Sequence, residues 1–335
     1  MKLFEEANIG SMTLKNRFVM PPMCMYKVDK EDGVANSFHT AHYTSRAIGQ
    51  VGLIILEATG VVPEGRITDL CLGIWNDTQK DALKVIVDAV HEQGSKIAIQ
   101  LNHAGRKTTT KGNIIVGPSA LAFSDDYQTP KEMTQSEIKQ MIEDFTLAAK
   151  RANQAGFDAI ELHMAHGYLL SSFMSPVSNK RIDKYHNPAV LFKELMDSIK
   201  TVWPQDKPII VRVSATDYEP DGYDTKDVAT MLKPILGDID AIHVSSGGIT
   251  PTNPKAYPSY QVEFASELKT LTNIPVIAVG LITTTEQSID IIENNRADFV
   301  AIGRGLLRNP HFVLESYMST RQKDKIPFSY RRGFR

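Results

Sequence analysis

The sequence predicts an α/β protein, a (β/α)8 TIM barrel with an N-terminal β-hairpin cap. Three observations carry the prediction. The chain has 335 residues, a length that suits two average domains or one large α/β barrel. Eight short apolar runs alternate with amphipathic helical stretches, and no low-complexity linker divides them. Within several runs, polar side chains fall on one face of the strand and aliphatic ones on the other.

In chain order, the opening "LFEEANIGSMTLKN" reads as a hairpin placed over the barrel bottom. The first four strands are "RFVMPP" from Arg17, "GLIILEA" from Gly52, "KIAIQLN" from Lys96 and "FDAIELH" from Phe157. The last four are "PIIVRVS" from Pro208, "DAIHVSS" from Asp240, "PVIAVG" from Pro275 and "DFVAIG" from Asp298. Between them, "DALKVIVDAVHEQG" from Asp81 and "QSEIKQMIEDFTLAAKRANQAG" from Gln135 carry a helical pattern, and each ends at a glycine. A doubly wound sheet is the alternative, but it usually needs fewer strands.

Alternation orients the strands. In "KIAIQLN", Ile97, Ile99 and Leu101 oppose Ala98, Gln100 and Asn102. In "FDAIELH", Ile160 and Leu162 oppose Ala159, Glu161 and His163; in "PIIVRVS", Val211 and Val213 oppose Ile210, Arg212 and Ser214. The aliphatic face meets the outer helices and the other enters the lumen. Gln100, His163 and Arg212 therefore converge on the C-terminal mouth, where barrel enzymes carry their chemistry.

Composition narrows the classes. Net charge is -2, with 42% hydrophobic and 23% charged residues, which is ordinary for a soluble globular chain and leaves no basic footprint for nucleic acid. Two cysteines, Cys24 and Cys71, are too few for a disulfide framework or an iron–sulfur cluster and suit a reducing, cytoplasmic setting. The start "MKLFEEANIG" has acids where a signal peptide needs an apolar core, and no apolar run is long enough to span a bilayer.

The fourth strand runs straight into "HMAHGY". Residues three apart on a straight strand face opposite ways, so His163 and His166 meet only if the strand ends and the chain turns. Gly167 suits such a turn. Spacing alone leaves three meanings open: unrelated loop residues, a metal pair, or two imidazole donors aimed at a substrate oxygen beside Tyr168. A metal pair lacks a third nearby ligand and the glutamate of HExxH. No metal is expected.

"PPMCMY", "IQLNHAGRK", "HMAHGYLLSSFMSP", "VRVSA", "HVSSGG" and "AIGRGLLRNP" together resemble the Old Yellow Enzyme family, in its bacterial NADPH dehydrogenase, thermophilic-like branch. The motifs keep the family's order from hairpin to C-terminus. The resemblance implies one FMN-binding barrel domain over residues 1–335 and ene-reductase chemistry. NADPH gives hydride to FMN and leaves; an activated alkene, quinone or nitro compound then takes it at the same place. It implies His163 and His166 as donors to the substrate oxygen, Tyr168 as proton donor, and Tyr26, Met164 and Ala165 as further substrate contacts. Pro21, Pro22, Met23, Cys24 and Ala58 would line the flavin, with Cys24 at its hydride-carrying nitrogen and Cys71 structural. Lys107 would lie at the phosphate or the cofactor edge.

Chemistry is consistent with those roles. Gln100 offers both donor and acceptor to a flavin edge, and Arg212 is a fixed cation for the charge of a reduced flavin. Barrels hold phosphate between the loops after strands seven and eight. Here "AVGL" and "IGRGLL" supply Gly280, Gly303 and Arg304. One phosphate region and no dinucleotide glycine fingerprint after an early strand point to FMN rather than FAD. Against the family pattern, Asn102 stands where alanine is usual and Pro21 where close relatives often have serine. The tail "FSYRRGFR" resembles tails in which an arginine enters the neighbouring subunit's site. That arginine is Arg332, with Tyr330 and Phe334 as aromatic anchors, in a homodimer or homotetramer with residues 325–335 at the contact. A barrel that binds flavin or phenols without turnover is the other class of function.

Overall fold

Gly10, at φ +54°, turns the chain back between β1 (Ala7–Ile9) and β2 (Met12–Leu14), which pair antiparallel. The structure, a computed structural model, describes residues 1–252 and 254–334. After the hairpin come β3 (Phe18–Met20), β4 (Leu53–Gly60) and β5 (Lys96–Asn102). A short parallel pair, β6 (Val116–Gly117) with β7 (Lys131–Glu132), lies outside the main sheet and has no counterpart in the sequence-based expectation. Then follow β8 (Ala159–Met164), β9 (Ile209–Ser214), β10 (Ala241–Ser245), β11 (Val276–Ala278) and β12 (Phe299–Ala301). The strands β3, β4, β5 and β8 to β12 close a barrel in that order, every pairing parallel. Each of the eight apolar runs is one of these strands.

The surrounding helices are α1 (Ser37–Ile48), α2 (Asp77–His91), α3 (Gln135–Ala155), α4 (Leu169–Met174) and α5 (Pro188–Lys200). They continue with α6 (Thr225–Leu232), α7 (Val262–Thr272), α8 (Thr285–Glu293), α9 (Arg304–Arg308) and α10 (Phe312–Ser319). Helix α3 starts and stops as its sequence says: Thr134 and Glu137 form a capping box and Gly156 closes it at φ +93°. Helix α2 starts four residues before Asp81, because Asn76 and Gln79 make a capping box there. It stops at His91, three residues short of Gly94.

Side-chain alternation divides the interior into two cores. Ile97, Ile99, Leu101, Ile160, Leu162, Val211 and Val213 pack outward with the helices. Ala98, Ala159 and Ile210 face the lumen with Ile55, Ile277 and Phe299. The hairpin joins this second core: Ile9 and Leu14 are fully buried against it and Met12 nearly so. The hairpin thus plugs the barrel bottom with hydrocarbon, which leaves polar chemistry to the other end.

Candidate active site

Two residues further along each strand than Ala98, Ala159, Ile210 and Ala241, the lumen turns polar. Register pairs Gln100 with Glu161, and Arg212 with both His163 and His243. Glu161 is the hub. Its Oε1 accepts from Gln100 Nε2 at 2.8 Å and its Oε2 from His243 Nδ1 at 2.7 Å, all out of solvent. The Gln100 nitrogen is therefore committed downward, and its carbonyl oxygen is the free end. Arg212 makes no ion pair with Glu161, and its buried Nε has no partner. Burial lowers the guanidinium pKa, against which Glu161 acts, but the group keeps its charge. Burial, and then the charge of Arg212, likewise lowers the pKa of His243.

Above this layer β8 ends at Met164 and the chain turns through His166 (φ +62°) and Gly167 (φ +73°). A Cβ on Gly167 would lie 2.2 Å from the Gly248 carbonyl oxygen, so only glycine allows the two loops to meet. Lys107 Nζ bridges them, donating to the His166 and Gly248 carbonyls at 2.8 and 3.0 Å. It lies 4.1 Å from the Phe123 ring centroid and 5.2 Å from that of Tyr168. Burial, then Arg106, lowers its pKa to about 8. Lys107 therefore acts as a tie between backbone loops, while also lining the cavity described below.

The turn brings His163 and His166 together, ring centroids 5.2 Å apart and edge-on, with Tyr168 5.0 Å from His163. Desolvation holds both imidazoles well below their ordinary pKa, with His166, Arg212, His243 and Lys107 adding to the effect on His163. Each is thus neutral, with one N–H to give. His166 Nε2 lies 2.8 Å from Ser245 Oγ, and His163 Nδ1 is buried without a partner. Burial pushes the Tyr168 phenol far above its usual value, so it keeps its proton. Strand alternation turns Met164 away from His163, into the outer core; Ala165 is fully buried. Neither side chain lines the cavity.

A cavity of about 540 Å³ opens beside this group. His166, Arg212, Gly280, Gly303 and Arg304 line it, with Lys107, Ser245, Gly248 and Tyr260. Gly303 is open: an added Cβ would come no nearer than 3.7 Å to Met23 Sδ and Pro21 Cγ, which places those two loop residues at the cavity edge. Gly280 is constrained, at φ +113° and packed on Gln261. The residues fit a flavin mononucleotide: three cations (Lys107, Arg212 and Arg304), open backbone at Gly303 after β12, an unpartnered Arg212 Nε and a free Gln100 oxygen. Asn102 turns its amide nitrogen to the Gly65 carbonyl, 3.4 Å away, and leaves a buried Oδ1 unpaired.

Cys24 is a partly exposed free thiol on the loop after β3, and Cys71 a buried one on the loop after β4. Tyr26, at φ +52°, is partly exposed, and burial of the rest raises its phenol to about 12. Pro22 is half-buried on the same loop. In the tail, Tyr330 folds onto its own barrel, its ring 5.3 Å from His311. Arg332 is exposed and outside the cavity lining; the Phe334 side chain and residue 335 lie outside the described residues. Sequence reasoning missed His243, Ser245 and the hub role of Glu161. Alternation in "DAIHVSS" puts His243 and Ser245 on the lumen face with Ala241, a signal strong enough to have found them.

A closed parallel barrel with such a mouth defines an α/β barrel of the kind that holds a phosphate-bearing ligand after its last two strands. The pattern of the NADH:flavin oxidoreductase / NADH oxidase family matches residues 2–321. The NADPH dehydrogenase of Clostridium acetobutylicum is 49% identical over 339 aligned positions, covering 100% of both chains. The NADPH dehydrogenase of Listeria innocua serovar 6a is 47% identical, covering 100% of this chain and 99% of that one. Morphinone reductase in complex with tetrahydroNAD superposes with a TM-score of 0.81 at 28% identity, over 95% of this chain and 91% of that one. The chain belongs to the NADH:flavin oxidoreductase / NADH oxidase family, the Old Yellow Enzyme family. It is a flavin-dependent oxidoreductase, and its flavin is FMN.

Proposed function

We propose that the chain is an NADPH dehydrogenase of the ene-reductase kind, working by ping-pong on one shared site. Its second substrates are activated alkenes (enones, enals and nitroalkenes), quinones and nitro compounds. Bound FMN supplies the hydride relay between the nicotinamide and the alkene. The observation that carries this reading is the neutral His163–His166 pair beside a protonated Tyr168 at the C-terminal end of the barrel, with His166 lining the cavity.

Each residue then has a task. His163 and His166 hold the substrate carbonyl or nitro oxygen by N–H donation, which draws charge from the β-carbon. Tyr168 gives its proton to the α-carbon. Tyr26 closes the pocket from the rim. Arg212 balances negative charge on the reduced cofactor, and the Gln100 oxygen accepts from its edge. Gly280, Gly303 and Arg304 take the phosphate. Pro21, Pro22, Met23, Cys24 and Ala58 exclude water from one side of the ring. Both named relatives are NADPH dehydrogenases, which favours NADPH as donor. The setting is cytoplasmic, and removal of reactive electrophiles fits the substrate range.

The decisive experiment mixes purified protein, NADPH and cyclohexenone without oxygen. Enone-dependent NADPH oxidation, with FMN released on heating, is expected. A yellow protein that leaves NADPH unchanged would instead be a flavin store or sensor.

The tail belongs to the same proposal. Residues 325–335 reach a neighbouring subunit, with Arg332 covering that subunit's pocket in a homodimer or a tetramer of dimers. Removing residues 329–335 should weaken association and enone binding together. Unchanged sedimentation and kinetics would return Arg332 to the status of a surface charge.

A further inference from the structure

Ser245 ends β10 on the lumen face and is buried. Among the described residues its hydroxyl has two neighbours. Gln261 Nε2 donates to it at 3.3 Å, and His166 Nε2 lies 2.8 Å away. The Gln261 amide also donates to Ser246 Oγ at 2.7 Å, which takes the Tyr218 O–H at 2.9 Å. Gln261 is itself buried and packs against Gly280. A buried hydroxyl has one hydrogen and needs an acceptor for it. With Gln261 as donor, the acceptor left to Ser245 among the described residues is His166 Nε2. An accepting ring nitrogen carries no hydrogen, so the neutral ring holds its hydrogen on Nδ1. His166 lines the cavity, and its Nδ1 has no protein partner among the described residues.

We propose that Ser245 is a positioning residue: by accepting from Gln261 and donating to His166 Nε2, it fixes the Nδ1–H tautomer of His166 and aims that hydrogen at the substrate oxygen. The inference rests on the ene-reductase reading above, since it gives the His166 donor its direction. Without the serine hydroxyl, Nε2 has no donor to bond, and the ring divides between two tautomers. In the wrong one, a nitrogen lone pair faces the substrate oxygen and repels it. The serine thus acts before the chemistry, by selecting which nitrogen holds the hydrogen. Gln261 acts one bond further back. Its amide nitrogen faces both serines, which gives the relay its direction; an amide turned over would reverse it. The partner imidazole is set by other means, because His163 Nδ1 is buried without a hydroxyl or any other partner.

Nitrogen NMR of the purified full chain with its flavin, isotope-labelled at histidine, reads the tautomer directly. The chain has 9 histidines, and the His166→Gln variant identifies the signals of His166. Near neutral pH, Nε2 should resonate as an unprotonated ring nitrogen and Nδ1 as a protonated one. Ser245→Ala should move both signals toward the average of two tautomers. It should also lower enone kcat/KM by roughly tenfold, the equilibrium weight of about one hydrogen bond. Ser245→Thr keeps the hydroxyl and should restore both. The proposal is overturned if wild-type Nε2 carries the hydrogen, for the relay would then run from His166 through Ser245 to Gln261. It is equally overturned if Ser245→Ala leaves the His166 signals unchanged. Should that variant fail to fold, the wild-type tautomer decides. The tautomer is read without turnover, so a chain that reduced no enone would sink the ene-reductase reading and still report on the serine.

Discussion

At the bottom of the barrel, Ile9, Met12 and Leu14 fill the lumen with hydrocarbon. At the mouth, the same strands present Gln100, Glu161, Arg212 and His243, and several buried polar atoms there have no partner. The bottom satisfies itself; the mouth is completed by what binds it. A buried polar atom without a partner costs roughly 1–3 kcal/mol, a cost that a bound cofactor or substrate can relieve. The comparison assigns stability to the hairpin end and chemistry to the open end, as barrel enzymes generally divide them.

The sharpest test is made at the mouth. His163→Ala and His166→Ala should each lower enone turnover by roughly 100–1000-fold, the usual effect of losing one oxyanion donor. FMN content and melting temperature should hold near wild type, since the His163 ring lies against those of His166 and Tyr168 and neither imidazole belongs to the hydrophobic cores. Wild-type turnover in both variants would remove the donor pair from the mechanism.

Leu14→Ala tests the other end. Leu14 is fully buried in the hairpin plug, and truncation of such a leucine costs about 2–5 kcal/mol. Urea unfolding should show that loss, with the turnover per flavin unchanged. A variant of unaltered stability but impaired turnover would break the division of labour.

A smaller effect is expected at Glu57, beside the mouth loops. It accepts from Met25 N–H at 2.9 Å and Tyr43 O–H at 3.0 Å, and burial raises its carboxyl from 4.5 to about 7. A folded pKa above the unfolded one makes the native state the better proton binder. Its stabilising share is complete below 4.5 and is lost as pH rises to about 7. Glu57→Gln should flatten that decline, which can reach roughly 1 kcal/mol per pH unit. Matching urea midpoints against pH for the two proteins would show the carboxyl to be indifferent.

The barrel was legible before any coordinates because its signals are local. Eight apolar runs, their alternation and the hairpin turn at Gly10 each occupy a few neighbouring residues. The same alternation named Gln100, His163 and Arg212 as lumen residues, and the family motifs added the loop residues. Helix α2 was misplaced at its start only because the Asn76–Gln79 box went unread.

What the sequence by itself determined is therefore the fold and the end of the barrel at which Gln100, His163 and Arg212 gather. Tertiary structure decided who bonds to whom. Glu161 joins Gln100, 61 residues away, to His243, 82 residues away. Lys107 grips the backbone at Gly248 across 141 positions. Val28 donates to the Leu70 carbonyl, which zips the loop after β3 to the loop after β4. Periodicity tells a side chain which face to take, but not its neighbour. The neighbour follows from strand register and barrel closure, which bring distant segments within reach of short-range hydrogen bonds.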